Sequence, residues 1–350
     1  MVLYTTKRLA KLGIIGFIVI LFNGCDNSLN VTADWKEIPI VYGLLNPSAS
    51  VNYIRINRAY LNQEGDAISY GAVADSINFE DLTVSLVEIR NGIEGNTINF
   101  TKVDGDTIGL PKDPGVFAQS PNILYRTNYD IKATDFANLY NYELVIVNNN
   151  SNKVYRSKAN MVGDSEILSP LRENDPRFNI DDDTNRYIYI IYREAPQAKM
   201  YDCVIRFRYK EYEKTNPSQV RIDSVDWQVF SRKETIRLRG YEEQQTNVRS
   251  YLFYDFLSSA MEADPNIERV PIDMGFFLYA AGEDMYTYIE VNQPSIGIVQ
   301  KKPEFTNITD GLGIFSSLNI KSLPHIKIDD PMLSRLTNSQ RVEDLNFVRP

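Results

Sequence analysis

Hydrophobic and polar residues alternate with a period of two along much of this 350-residue chain, which is the pattern of half-buried β-strands. In the first half, short alternating segments are separated by turns rich in Asn, Asp and Gly, and no helical period of useful length occurs. We therefore predict seven strands there, over residues 38–45, 53–61, 82–90, 97–102, 123–131, 142–147 and 154–161.

The second half mixes longer strands with one or two helices. Ser250 precedes an apolar stripe at helical spacing that Pro265 ends, which predicts a helix near 251–262. Asp330 and Pro331 predict a short terminal helix with Asp330 as its cap. The predicted strands of this half cover residues 187–192, 200–212, 220–230, 275–281, 286–291 and 314–320.

Two of these strands carry specific expectations. Residues 187–192 (YIYIIY) are apolar in every position, which predicts a central strand buried on both faces. In residues 200–210, alternation places Cys203 on the apolar side of its strand, where a cysteine behaves as a small buried hydrophobe. We expect this thiol to be unreactive.

The domain boundary is predicted near residue 163. The stretch from 162 to 185 has little periodicity and contains Gly163, Pro170, Pro176 and the acidic run Asp181–Asp183. The resulting fold class is mainly β, with an Ig-like or transthyretin-like β-sandwich at 35–162 and a mixed, mostly antiparallel β domain at 163–350.

The first 24 residues have the form of an export signal. Lys7, Arg8 and Lys11 precede the apolar run 12–22 (LGIIGFIVILF). A helix of this length covers only about half of the roughly 30 Å hydrocarbon core of a bilayer, so the run predicts a signal peptide rather than a membrane span.

The end of this signal resembles a bacterial lipobox, in which apolar and small residues precede an obligatory cysteine. Gly24-Cys25 keeps that pattern, although Phe22 and Asn23 depart from its commonest form. The resemblance implies cleavage after Gly24, lipidation of Cys25, and durable anchoring to a membrane by several acyl chains. A plain secretory signal is the alternative. Residues 25–34 are short and polar and are expected to form a tether.

Charge and composition exclude several function classes. Without the signal, 34 basic residues stand against 46 acidic ones, a net charge of −12 that disfavours nucleic-acid binding. One histidine, His325, and two cysteines remove most zinc sites, most nucleophilic triads and a disulfide framework. We expect no cofactor and no metal site, because the run Asp181–Asp183 lacks the spacing of a calcium loop. His325 is expected to be structural or surface-exposed.

No nucleotide-binding or catalytic motif is present, so the chain is expected not to be an enzyme. The enzymatic alternative is a surface glycan hydrolase with two carboxylates, which needs no histidine. The many tyrosines have two interpretations: filling of β-sheet cores, or a platform for a glycan or peptide ligand.

Three Asp-Ser/Thr-apolar triplets resemble the O-glycosylation acceptor of exported Bacteroidota proteins. The acceptor hydroxyls would be those of Ser76, Thr107 and Ser224.

Three longer segments resemble uncharacterised outer-membrane lipoproteins of Bacteroidota that are often encoded near TonB-dependent receptors. They are residues 40–47 (IVYGLLNP), 206–212 (RFRYKEY) and 305–317 (FTNITDGLGIFSS). In the third, Asp310-Gly311 permits positive φ and Gly313 permits close approach of another backbone. The resemblance implies a cell-envelope accessory or binding protein with an Ig-like first domain, and it carries over no catalytic residue.

Together these patterns predict a lipid-anchored outer-membrane protein that binds either a TonB-dependent β-barrel or an extracellular ligand. The sequence leaves open which face of the outer membrane carries it. A structural or adhesion component of the envelope is a further alternative.

Overall fold

A computed structural model describes residues 37–59, 71–170, 177–293 and 304–350, all of which belong to one compact unit. The fold is mainly β, as the alternation predicts, with three sheets of nine, four and three strands. The strands are β1 Ile38–Leu45, β2 Asn52–Ala59, β3 Leu82–Arg90, β4 Ile93–Asn99, β5 Thr101–Asp104, β6 Ile123–Thr127, β7 Tyr140–Asn148, β8 Val154–Asn160, β9 Glu166–Ser169, β10 Arg177–Phe178, β11 Tyr187–Arg193, β12 Met200–Glu213, β13 Asn216–Glu234, β14 Glu243–Arg249, β15 Ile267–Ala281 and β16 Leu312–Ile328.

The nine-stranded sheet has the order β13-β12-β15-β16-β1-β2-β6-β5, and β10 pairs with the far end of β16. Strands from both sides of residue 163 therefore share one sheet. They meet where β1 and β16 run parallel, with Ile40 opposite Leu312 and Leu45 opposite Ser317. The smaller sheets have the orders β4-β3-β7-β8 and β14-β11-β9.

Two hydrophobic clusters underlie these sheets. The first joins the β1–β2 side of the large sheet to the four-stranded sheet, and it extends along the chain from Val41 to Met161 with Ile308 and Phe315 added. The second cluster extends along the chain from Val162 to Phe347. The division between the two clusters falls beside the boundary expected near residue 163, although the shared sheet crosses it. The two-domain division itself stays a prediction.

The described residues contain four helices: α1 Ala74–Ile77, α2 Tyr251–Ala260, α3 Glu283–Asn292 and α4 Asp330–Asn338. Helix α2 lies where the stripe predicts it and buries Phe253, Tyr254 and Leu257. The expectation of one or two helices beyond residue 163 is wrong, because three occur there.

Helix α3 replaces a predicted strand at 286–291. Alternating β-branched residues suggested the strand, but Gly282 caps a helix whose first turn carries Glu283 and Asp284. Acidic side chains at this position interact favourably with the positive end of the helix dipole. These local signals prevail over the weak alternation.

The expectation for residues 187–192 is half right. Strand β11 is the central strand of its sheet, and Ile188, Ile190 and Tyr192 are buried in the second cluster. Its other face is not covered, because Tyr187 and Tyr189 are exposed. The reason is that this small sheet packs on the core with one side only, so its outer side remains at the surface.

Candidate functional site

The sequence-predicted lipidation site lies outside the described residues. Gly24, Cys25, the signal 1–24 and the tether 25–34 are all in that part of the chain, so lipidation stays a prediction. Among the helices that the structure describes, none is long and apolar enough to cross a membrane.

The three candidate glycosylation residues lie in different settings. Ser76 is half-buried in α1, whereas Thr107 and Ser224 are exposed. The Thr107 hydroxyl donates a hydrogen bond to the Asp104 carbonyl at 2.7 Å, in a short 3-10 turn. Glycosylation at these positions stays a prediction.

Cys203 has the inert setting that the alternation predicts. It lies on the inner side of β12 with Tyr201, Ile205, Phe207 and Tyr209, and all five side chains are buried. Burial, with a smaller contribution from the charge of Asp202, raises the pKa of the Cys203 thiol. A thiol held protonated in this way is a poor nucleophile.

His325 joins an ion-pair cluster on the outer side of the large sheet. The Arg208 guanidinium donates to Asp273 Oδ2 at 2.9 Å, and His325 Nδ1 lies 3.0 Å from the same oxygen and in contact with Arg208. The histidine side chain is 64% exposed. Its two contacts are a cation and a carboxylate, neither of which is a nucleophile to activate. The cluster therefore binds β12, β15 and β16 together on their outer side.

The acidic run Asp181–Asp183 is held by a cation of the chain itself. The Arg335 guanidinium lies 3.1 Å from Asp181 Oδ2 and 3.9 Å from Asp182 Oδ1, which attaches the loop to helix α4. Within the described ranges, no group of three or more candidate ligands suits a metal ion.

Carboxylates also line surface grooves. A groove of about 440 Å³ at the β12–β13 hairpin includes Glu211 and Glu213. The Glu211 oxygens already contact two guanidinium groups, those of Arg221 and of the buried Arg269. A glycosidase pair requires one carboxyl group that can deliver a proton to its substrate. Both Glu211 oxygens are instead engaged in ion pairs with side chains of the same chain.

The most distinctive exposed chemistry lies on the outer side of the three-stranded sheet. We call this surface the tyrosine face: Tyr187, Tyr189, Gln245, Asn247 and Arg249. Residues of β11 and β14 that stand directly opposite each other share a side of the sheet, and here Tyr187 is opposite Arg249 and Tyr189 is opposite Asn247. The tyrosines are 40% and 49% exposed, with ring centroids 6.4 Å apart.

Polar side chains on the tyrosine face are held in place by their neighbours. The Arg249 guanidinium lies 4.9 Å from the centre of the Tyr187 ring and donates to the Thr184 carbonyl at 2.6 Å. Gln245 Nε2 donates to Asn247 Oδ1 at 2.7 Å. The face thus combines two adjacent aromatic rings with amide groups and one oriented cation. Such a surface can stack on a flat apolar ligand face and form hydrogen bonds at its edge.

Sequence reasoning missed this face as a site because it expected both sides of β11 to be buried. The available signal was in residues 187–190, where Tyr187 and Tyr189 alternate with isoleucines, so one side of the strand carries two neighbouring hydroxyl groups. The partner strand β14, with Gln245 and Asn247, was not predicted at all.

A scan against protein-family models finds no match to this chain. A search of curated proteins finds no similar sequence either.

Proposed function

We propose that this protein is a lipid-anchored binding or accessory protein of the bacterial outer membrane that holds its ligand or partner on the tyrosine face. The exposed Tyr187–Tyr189 pair is the observation that carries the binding role. The Gly24-Cys25 pattern and the resemblance to Bacteroidota lipoproteins support the location. The proposed role is not enzymatic.

Physical chemistry favours a binding role for the tyrosine face over a merely solvated surface. Tyrosine buries a large area at low conformational-entropy cost and keeps a hydrogen-bonding hydroxyl group. Arg249 is held by Tyr187 and Thr184, so less ordering remains to be done when a ligand arrives. A glycan ring or an extended peptide offers the matching combination of a flat apolar side and a polar edge.

The partner in this proposal is a TonB-dependent β-barrel or an extracellular glycan or peptide. Lipid on Cys25 would confine the binding face to the plane of the membrane and raise its effective concentration near membrane-bound partners. We further propose that residues 35–162 form an Ig-like or transthyretin-like sandwich. The support is the hydrophobic cluster shared by two sheets, to which Val41 and Ile54 contribute from one and Val84 and Leu144 from the other.

Substitution of the tyrosines tests the binding role. Retention of the purified full chain on a panel of immobilised polysaccharides, and its co-purification with outer-membrane barrels after gentle detergent extraction, are measured for Tyr187→Ala and Tyr189→Ala. In whichever of the two assays the parent binds, we expect each variant to bind about tenfold more weakly. Removal of a central aromatic side chain from an interface typically has an effect of this size.

The matched control is Phe117→Ala, which removes another exposed aromatic ring, in the segment between β5 and β6. It is expected to bind like the parent. Equal binding by all three variants would show that the tyrosine face is not the site.

Anchoring is tested separately with Cys25→Ala. If lipid holds the protein, this variant moves from the membrane fraction to the soluble fraction, and the mass of the parent's amino-terminal peptide includes the acyl chains. An unmodified thiol at position 25 in the native protein contradicts the proposal.

A further inference from the structure

Strand β13 is the outermost strand of the large sheet, and it is also the longest strand that the structure describes. No other described strand pairs with its outer side. The amide of Ser224 donates to the Asp223 carboxylate at 2.8 Å, which is consistent with an N–H directed to the outer side of the strand. Alternate residues of a strand direct their backbone groups to the same side, so Ile222 also offers its N–H and C=O groups to a further strand. Val220 adjoins this segment, just beyond the regular pairing with β12 that ends at Arg221.

The middle of this edge lacks the usual protection against pairing. Exposed edge strands are normally interrupted by proline, glycine or bulges, or carry lysine. From Arg221 to Gln228 there is no lysine, proline or glycine, and the pairing with β12 continues without a register shift. Ile222 in this segment and Val220 just before it are 60% and 49% exposed. The edge therefore offers two exposed apolar side chains beside a regular stretch of strand.

The charges of the segment fit those of a second copy of the same segment. When a strand pairs with its own copy in antiparallel orientation, a two-fold axis passes through one residue pair. With the axis at Ile222, this residue faces its counterpart, Val220 faces Ser224, and Arg221 faces Asp223 on both sides of the axis. Two ion pairs would then flank a central Ile–Ile contact.

Neighbouring registers lack this complementarity. In an antiparallel pair, the two-fold axis can pass through a hydrogen-bonded or a non-hydrogen-bonded residue pair. An axis at Arg221 or at Asp223 places two like charges opposite each other. An axis at Val220 places Arg221 opposite Gln219, and an axis at Ser224 places it opposite Trp227. Both registers leave the charges unmatched, so charge selects Ile222.

We propose that β13 is a self-association surface, through which two copies of this chain pair edge to edge about a two-fold axis at Ile222. The Arg221 guanidinium is 68% exposed, contacts Glu211 and lies 3.1 Å from Asp223 of its own chain. In the dimer, the Ser224 N–H donates a hydrogen bond to the Val220 carbonyl oxygen of the other copy. This releases the Asp223 carboxylate to meet the other copy's Arg221.

Cysteine cross-linking tests the register. Ile222→Cys in the full chain places two thiols opposite each other, at a Cα separation of about 5.5 Å that a disulfide can bridge. Ser224→Cys is the matched control. With the axis at Ile222, the two copies of residue 224 lie four residues apart along the paired strands, about 13 Å. Mild oxidation is expected to link the first variant and not the second. Equal linking of both variants, or of neither, overturns the register.

A charge exchange tests the pairing without cysteine chemistry. Arg221→Asp gives a segment with two aspartates, and Asp223→Arg gives one with two arginines. Each variant alone faces its copy with like charges and is expected to dimerise about tenfold more weakly in sedimentation. A mixture of the two restores opposite pairs and is expected to form heterodimers. If the mixture stays as monomeric as its components, β13 is not the interface.

Discussion

The parallel contact between β1 and β16 depends on a single glycine. Gly313 has φ +96°, and a Cβ built on it would lie 2.0 Å from the carbonyl oxygen of Val41, its pairing partner. The sequence predicted close backbone approach at this residue, and the geometry confirms it. A side chain here must separate the two strands as well as accept an unfavourable φ.

We therefore expect Gly313→Ala to lower the free energy of unfolding by about 3 kcal/mol or more. Gly92→Ala is the matched control, because Gly92 also has positive φ (+82°) but a Cβ there meets nothing within 4 Å. That variant should lose only about 1 kcal/mol. Urea denaturation measures both, and equal losses would mean that contact with Val41 contributes nothing.

At the scale of elements, helix α4 shows how a cap is chosen. Asp330 was predicted as the cap, but Asp329 has the extended backbone of that position and accepts a hydrogen bond from the Met332 amide at 2.9 Å. Asp330 instead begins the first turn. Two adjacent aspartates before Pro331 give nearly the same sequence signal, and only the backbone dihedral angles distinguish them.

Asp329→Ala should accordingly lower the free energy of unfolding by about 1 kcal/mol, because the Met332 amide loses its acceptor. Asp330→Ala should lower it by only a few tenths of a kcal/mol, the contribution of a first-turn charge to the helix dipole. Chemical denaturation of the two variants compares them directly. A larger loss for Asp330→Ala would restore the sequence-based assignment.

The elements that the sequence predicted well are those whose signals are local. β1 and β3 have the predicted bounds, because alternation and flanking turn residues define both ends. Asn91 and Gly92 both adopt positive φ, as a tight hairpin between β3 and β4 requires. The parallel register of β1 with β16 has no local signature. The exposure of the outer side of β11 has only a weak one, the hydroxyl groups of Tyr187 and Tyr189 on one side of a strand that otherwise reads as buried. The tyrosine face depends on that exposure and on the unpredicted strand β14, so the sequence alone did not reveal it.

At the scale of the whole molecule, the interior is rich in phenol groups. Tyr125, Tyr142, Tyr192, Tyr201 and Tyr254 are buried in the two clusters. Burial raises the pKa of each hydroxyl, and for Tyr125, with a smaller contribution from the charge of Asp81, it raises the pKa from 10.0 to about 12. These groups must stay protonated while the protein is folded.

Stability is expected to fall as the pH rises above 10. The unfolded chain releases phenol protons from pH 10 upward while the folded chain retains them, so unfolding becomes more favourable with each increment of pH. Tyr125 alone should lower the free energy of unfolding by about 2 kcal/mol between pH 10 and pH 12. The urea midpoint, followed from pH 9 to 11.5, measures the effect.

Tyr125→Phe should reduce this pH dependence, and Tyr189→Phe, which alters an exposed ring, should leave it unchanged. A midpoint independent of pH over this range would show that the buried phenols ionise equally in the folded and unfolded chains.

The side-by-side placement of β1 and β16 also determines when the fold can be completed during synthesis. Residues 40–45 are made early, but their neighbours at 312–317 emerge only after most of the chain has been translated. Until then, one edge of the early β1–β2 hairpin is unpaired, and incompletely folded chains with unpaired strand edges are prone to aggregate. The early hairpin therefore gains its second neighbour only when the late strand arrives.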